Sequence, residues 1–260
     1  MKLKNKICIV TGGAMGNGLG IVKVFLKQGA TVIILDYSKK VFETIDELKN
    51  PRLSGYKVDI RDKKKVNKII SEIEKDFGRI DVLVNNAGVC KLVKFTDMED
   101  EDRDYHFDIN INGTWNVSKA VVPVMIKNNY GKIVNLSSVT GPMVADSGEV
   151  AYATTKAALL GFTKSLAMEL VEHNICVNAI MPGYILTPMV EAMAKISNPE
   201  DPQSVIDGIA AGIPMGRLGT IEELGELAAF LSSDESKYIT GQGIVIDGAS
   251  TLPETKTMGV

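Results

Sequence analysis

The sequence predicts an α/β fold in which a seven-stranded parallel sheet is wound with helices on both faces. Three observations lead there. Short β-branched runs alternate with longer amphipathic stretches along nearly the whole chain. The strand-like runs are apolar throughout rather than alternating, as strands buried on both faces are. A glycine-rich turn, Thr11-Gly12-Gly13-Ala14-Met15-Gly16-Asn17-Gly18, joins the first such run to the first helix.

Residues 6–10 (KICIV) read as a buried first strand, followed by the glycine turn and a helix ending at Gly29. Residues 31–36 (TVIILD) make the second strand, 54–59 (SGYKVD) the third, and 62–78 the helix after it. The fourth to seventh strands fall at 80–88, 131–138, 175–183 and 243–248, with long helices at about 99–128 and 150–173. Parallel neighbours need crossovers, and these are right-handed, so the sheet is doubly wound in the Rossmann manner. No linker, repeat or low-complexity segment divides the chain, and a single domain over 1–260 is expected. Residues 185–215, rich in Met, Pro, Asp and Gly, break the alternation before the last helix–strand unit. They are expected to form a flap over the carboxyl edge of the sheet, where ligands bind in such folds.

Composition narrows the function. The net charge is −3 with no basic stripe, so nucleic acid is not an expected partner. Two histidines, His106 and His173, argue against zinc or a histidine-based triad, and no metal is expected. Cys8, Cys90 and Cys176 form no CxxC and read as buried, reduced thiols. The first apolar run stops after four residues, too short for a signal peptide, and no run is long enough to span a membrane. A soluble cytoplasmic protein is expected. Lys63-Lys64-Lys65 and the acidic run 97–108 read as solvated helix starts, the acids suiting a helix N-terminus.

The chemistry-bearing residues cluster at predicted strand ends. Glycines 12, 16 and 18 let the backbone approach a pyrophosphate, whose charge a helix N-terminus favours. Asp36 ends the second strand, placed to accept from both hydroxyls of an adenosine ribose and to repel a 2′-phosphate. Lys39 and Lys40 nearby weaken that preference for NAD over NADP. Asp59, followed by Ile60, ends the third strand; it suits either an adenine amino group or the capping of the helix at 62. Asn85-Asn86-Ala87-Gly88 ends the fourth strand, as ligand-facing backbone or as turn chemistry.

Ser138 ends the fifth strand, and Tyr152 and Lys156 sit four apart on the next helix, so both project from one face. An ordinary tyrosine, with a pKa of about 10, is no base at neutral pH. An ammonium within about 4–6 Å, with a bound nicotinamide cation, would lower that value. Ser138 would then hold the substrate oxygen. Met181, Met189, Met193 and Met215 around the flap read equally as its core or as an apolar substrate wall, faced by Met143, Val144 and Tyr184.

Together these motifs resemble the short-chain dehydrogenase/reductase family in its single-domain form. TGxxxGxG at 11–18, NNAG at 85–88, the Asn of NING at 110, Ser138, YxxxK at 152–156 and PG at 182–183 occur in the family's order across the whole chain. The resemblance implies a catalytic tetrad. Tyr152 transfers the proton, Lys156 lowers its pKa and bonds the nicotinamide ribose, Ser138 positions the carbonyl or hydroxyl, and Asn110 anchors a water linked to Lys156. It also implies that Asn86 and Gly88 contact the adenosine side, that Ile185 and Thr187 meet the nicotinamide carboxamide, and that Pro182 and Gly183 lie beside the cofactor. Asn17 departs from the family, which usually places Ile or Leu between those two glycines; only its backbone N–H is needed for phosphate. The expected activity is hydride transfer between NAD(H) and a secondary alcohol or ketone, in a homotetramer. Two alternatives stand beside it: an NADPH-dependent 3-oxoacyl thioester reductase, and a dinucleotide-binding regulator without turnover.

Overall fold

The computed structural model describes residues 1–253; the last seven positions of the single domain expected over 1–260 lie outside the described residues. Strands β1 (Ile7–Thr11), β2 (Thr31–Asp36), β3 (Leu53–Lys57), β4 (Val82–Asn85), β5 (Gly131–Leu136), β6 (Ile175–Pro182) and β7 (Gly243–Ile246) form one sheet. Its order is β3-β2-β1-β4-β5-β6-β7, and every pairing is parallel. The order reverses between β1 and β4, which opens a crevice at the carboxyl ends of those strands.

The apolar strands divide their side chains between two cores. Cys8 and Val10 of β1 face helices α1 (Gly16–Lys27) and α9 (Ile221–Leu231). Ile7 and Ile9 face α3 (Lys63–Phe77), α5 (Thr114–Lys127) and α6 (Val150–Leu170). Both sets are shielded from water, which is why the runs read as continuously apolar. Local chemistry fixes the helix ends. Asp62 caps α3 by accepting from Lys65 N at 3.1 Å, and Gly78 ends it at φ +72°. Thr220 and Glu223 form a capping box at α9.

Two parts of the plan differ from expectation. A helix between β2 and β3, α2 (Lys40–Leu48), had no counterpart in the sequence reading. The long helix expected over 99–128 is three pieces: α4 (Asp100–His106), a π-helical turn over Phe107–Gly113, and α5. The flap over 185–215 contains α7 (Pro188–Ser197) and α8 (Pro202–Ala211). Of its methionines, Met189, Met193 and Met215 are about half exposed, so they are not a flap core; Met181 is a buried residue of β6. No described helix is long and apolar enough to cross a membrane, and no cluster of His, Cys, Asp and Glu among the described residues could hold a metal.

Candidate active site

A cleft of about 730 Å³ opens where the strand order reverses, between the glycine turn, the ends of β2–β6 and the flap. The glycine turn forms its floor. Gly12 has φ +63°, and a Cβ there would stand 2.9 Å from the Cα of Ala87, so a side chain is barred on two grounds. A Cβ at Gly18 would lie 2.0 Å from the Gly12 carbonyl oxygen; that glycine allows α1 to abut the turn. Gly16 and Asn17 line the cleft. Met15 gives α1 no side-chain cap and its first turn holds no acid, so its free N–H groups and positive dipole end are left for an anion.

The predicted cofactor residues fall into two groups. Asp36, Asp59, Ile60, Asn86 and Gly88 line the half of the cleft under β2 and β3 and around the β4 end. Asp36 is buried; one carboxyl oxygen accepts from Ala14 N at 3.0 Å and the other from Ser38 N at 2.8 Å. A carboxylate has about four acceptor sites, so capacity remains for two hydroxyls. Asp59 does not cap the helix at 62, because Asp62 does. It pairs instead with Arg61, at 2.6 Å between Nη2 and Oδ2, and that hydrogen-bonded guanidinium holds its carboxyl below the usual range. Asn86 binds protein rather than open space: its Nδ2 donates to the carbonyls of Thr11 at 3.0 Å and Gly12 at 2.9 Å, clamping the glycine turn to β4. Pro182, Gly183 and Thr187 line the opposite half. Thr187 also caps α7. The side chain of Ile185 is buried and packs against Gly219 rather than lining the cleft. Its backbone bridges to the same residue.

Between the halves stand the four expected catalytic residues. Tyr152 and Lys156 project from the first two turns of α6, and the Lys156 Nζ lies 5.5 Å from the Tyr152 ring centre. Ser138 Oγ lies beside the Tyr152 hydroxyl, where it favours the ionised phenol, and accepts Thr140 N at 3.1 Å. Lys156 is buried and donates to the Leu136 carbonyl at 2.7 Å. Asn110 sits in the π-helical turn and its amide is committed to protein: Oδ1 accepts Val89 N at 2.8 Å, while Nδ2 donates to the Val89 carbonyl and to Thr155 Oγ1. The wide turn thus carries Asn110 inward to tie β4's exit to α6. A Cβ on Gly88 would stand 3.2 Å from Asn110 Oδ1 and 3.5 Å from Lys156 Nζ, so Gly88 keeps the space between them clear.

Burial dominates at Tyr152 and pushes the phenol up to about 12, with Ser138 only partly opposing it; the lowering by Lys156 was expected together with a bound nicotinamide cation. Burial also brings the Lys156 ammonium down to about 8. The cysteines split as well. Cys8 and Cys176 are buried as expected, but Cys90 is only half-buried and lines the cleft, its thiol pushed up to about 11 by burial. Tyr37 and Arg61 are cleft residues without a role in the sequence reading, and Cys90 is one it assigned to the interior. Each directly follows or lies within two residues of a residue it singled out, and that adjacency was the available signal.

Comparison with known proteins agrees with this geometry. A family model described as enoyl-(acyl carrier protein) reductase matches residues 12–251. The chain belongs to the short-chain dehydrogenase/reductase family, whose members generally bind NAD or NADP. It is 54% identical to oxidoreductase UcpA of Escherichia coli K12, over 100% of this chain and 99% of that one. It is 40% identical to the 3-oxoacyl-[acyl-carrier-protein] reductase FabG of Thermotoga maritima, over 97% and 100%. Among solved structures, ligand-free aldohexose dehydrogenase of Thermoplasma acidophilum superposes with a TM-score of 0.91 at 31% identity, over 99% and 98%. As a member of this family the chain is an oxidoreductase.

Proposed function

We propose that the protein is a nicotinamide-dependent alcohol dehydrogenase or carbonyl reductase that moves hydride between NAD(H) and a secondary alcohol or ketone. The observation that carries this reading is the joint placement of the Ser138–Tyr152 hydroxyl pair and the buried Lys156 at the middle of one long cleft. The glycine turn, the uncapped α1 N-terminus and Asp36 suit a dinucleotide: a floor without side chains, donors for its phosphates and a carboxylate for its ribose. Bound there, the nicotinamide would supply the hydride acceptor or donor.

The chain's own groups do the rest. Ser138 and Tyr152 hold the substrate oxygen between them, which fixes the reacting carbon. In reduction Tyr152 gives its proton to that oxygen; in oxidation it takes the proton back. A phenol near 12 carries its proton at neutral pH, the form that reduction needs, but it is a weak acid until a nearby positive charge lowers it. Lys156, with its positive charge and no partner carboxylate among the described residues, helps the phenolate form when it must. Asp36 favours NAD, since a 2′-phosphate would meet its charge. The experiment is Tyr152→Phe: turnover falls about a thousandfold while the NADH dissociation constant stays within about threefold. Retained turnover would remove Tyr152 from the chemistry.

The likeness to FabG favours a second reading, an NADPH-linked reductase of 3-oxoacyl thioesters. A higher kcat/KM with NADPH than with NADH would support it against the first. A regulator without turnover is disfavoured, because Ser138, Tyr152, Lys156 and Asn110 are all present and brought together. Self-association is part of the proposal. On α5 and α6, Trp115 stacks on Phe162 with ring centres 5.1 Å apart yet is half exposed, and Val150 and Met168 are exposed too. Such a face suits a second copy of the chain, and sedimentation at micromolar concentration is expected to show a tetramer.

A further inference from the structure

The end of the cleft above β3 is walled by Val58, Asp59, Ile60 and Arg61, with Ile109 packed against the same core. Val58 and Ile60 are buried and apolar, so the charged chemistry here belongs to Asp59 and Arg61, and each is spent on the other. Asp59 Oδ1 accepts Arg61 N at 2.9 Å and Nε at 3.0 Å. Oδ2 accepts the same Nε at 3.0 Å and Nη2 at 2.6 Å. A carboxylate has about four acceptor sites, and Arg61 alone reaches all of them. Asp36 differs: each of its oxygens accepts from one backbone N–H and keeps a site open.

The pair is also fixed in place. The Asp59 carbonyl accepts Asp62 N and the Arg61 carbonyl accepts Lys63 N, both at 3.0 Å. From α5, Asn116 Nδ2 donates to the carbonyl of Ile60 between them at 3.1 Å. A Cβ on Gly113 would stand 2.5 Å from Ile60 Cδ1, so Ile60 seats against that bare position of the π-helical turn. The Arg61 side chain nevertheless stays 42% exposed and lines the cleft. A guanidinium gripped along its edge by a carboxylate keeps its faces free, and those faces stack on flat aromatic rings. What this end offers a base is therefore a plane and apolar surface, with the acceptor edge of Asp59 already filled.

We propose that Arg61 is the base-recognising residue of the dinucleotide site: its guanidinium, held flat by Asp59, stacks on the adenine, and Asp59 takes no part in reading the adenine amino group. The chain then binds a dinucleotide by the face of its purine and is indifferent to the substituent at C6. This rests on the reading of the cleft as a dinucleotide site, and it replaces the amino-group contact that an aspartate at the end of β3 suggests. No bond is made or broken by Arg61.

The experiment measures dissociation constants on the full-length protein by calorimetry. The probes are NADH and reduced nicotinamide hypoxanthine dinucleotide, in which an oxo group replaces the adenine amino group; the 2′-phosphorylated forms of both are run beside them. The wild type is expected to bind the two bases within about threefold of each other, whereas a hydrogen bond from the amino group to the Asp59 carboxylate would favour adenine by at least about tenfold. Arg61→Ala is expected to weaken NADH binding about tenfold. By freeing the Asp59 oxygens it should also create a preference for adenine of about tenfold that the wild type lacks. Arg61→Lys, which keeps the charge but not the plane, is expected to bind NADH within about threefold of Arg61→Ala. Urea midpoints report on folding. A wild-type preference for adenine beyond the expected range overturns the proposal, and so does Arg61→Ala with undiminished affinity or Arg61→Lys with that of the wild type. An Arg61→Ala variant that weakens both dinucleotides equally and gains no preference shows a structural role only, and overturns it too. Should Arg61→Ala not fold, the wild-type ratio and Arg61→Lys decide. Failure of every dinucleotide to bind overturns the reading of the cleft and the proposal with it. A Tyr152→Phe variant with undiminished turnover removes the catalytic reading alone and leaves this one standing.

Discussion

The molecule holds a lysine against a tyrosine at both ends of its sheet, and the two pairs are built to opposite ends. Below the amino ends of the strands, Lys6 Nζ lies 3.7 Å over the ring of Tyr130. There most charges are paired with carboxylates: Tyr130 donates to Asp234 at 2.8 Å, Lys6 lies 3.6 Å from the same carboxylate, and buried Asp81 accepts Ile7 N at 2.8 Å beside Arg79, while buried Lys132 donates to Cys176 Sγ at 3.3 Å. Above the carboxyl ends, Lys156 is buried with only the Leu136 carbonyl to bond, and the Tyr152 hydroxyl meets a serine instead of a carboxylate. Satisfied charges bind β1, β4 and β5 together. The unsatisfied cation is destabilising where it sits and available for chemistry.

The largest expected break in that contrast is Lys156→Met. Turnover falls by a hundredfold or more, yet the fold becomes more stable. Burial takes Lys156 from 10.5 in the unfolded chain to about 8 in the folded one, so the unfolded state binds more protons between those values. Stability therefore rises as pH climbs through that window, and below it the buried ammonium costs on the order of 3 kcal/mol. Urea unfolding is expected to show the variant more stable than the wild type at pH 7, with the difference shrinking toward pH 10. A variant less stable at both would mean that the Leu136 hydrogen bond outweighs the burial of charge.

Asp81→Ala tests the other end. It leaves the Ile7 N–H and the Arg79 guanidinium without their acceptor, and a loss of about 3 kcal/mol is expected by urea unfolding. The activity per folded molecule should stay within about twofold. A large fall in kcat without unfolding would show that the two ends communicate.

A smaller effect comes from titration at the upper end. Alcohol oxidation needs the phenolate, so its kcat/KM should rise about tenfold per pH unit while pH is below the Tyr152 value. Lys156 loses its proton near 8 and with it the charge that favours phenolate, so the rise should slacken above that point. Ketone reduction needs the phenol and should be flat over the same range. An oxidation profile without a break near 8 would mean that Lys156 stays charged during turnover.

How much of this contrast the sequence discloses depends on the distance over which each feature is encoded. The strands were legible because burial on both faces leaves continuous apolar runs such as TVIILD, which became β2 residue for residue. The Tyr152–Lys156 pair was legible because a four-residue spacing on a helix fixes a shared face. The burial that raises the Tyr152 phenol was not, since burial is the sum of every element packed around a side chain and no local spacing reports it. The π-helical turn escaped for a related reason: it is held by Asn110 reaching Val89 and Thr155, residues 21 and 45 positions away. The lower-end network escaped altogether, because Lys6, Asp81, Tyr130 and Asp234 are scattered along the chain and meet only once the sheet is closed.

The same substitution made at both ends gives the smallest and sharpest test. Tyr130→Phe removes only the hydroxyl that donates to Asp234, and leaves the ring beneath Lys6 and the Lys6–Asp234 pair in place. The hydrogen bond joins a neutral donor to a carboxylate that is partly exposed, so a loss of about 1 kcal/mol is expected, with kcat unchanged. Tyr152→Phe should do the reverse: turnover collapses while stability moves by no more than about 0.5 kcal/mol, because the hydroxyl it removes is held by a single serine. Urea midpoints and kcat measured on the two variants side by side read the comparison directly. Equal stability losses at the two positions would mean that the Tyr152 hydroxyl is as firmly built into the fold as that of Tyr130, and that the division between a structural end and a reactive end does not hold.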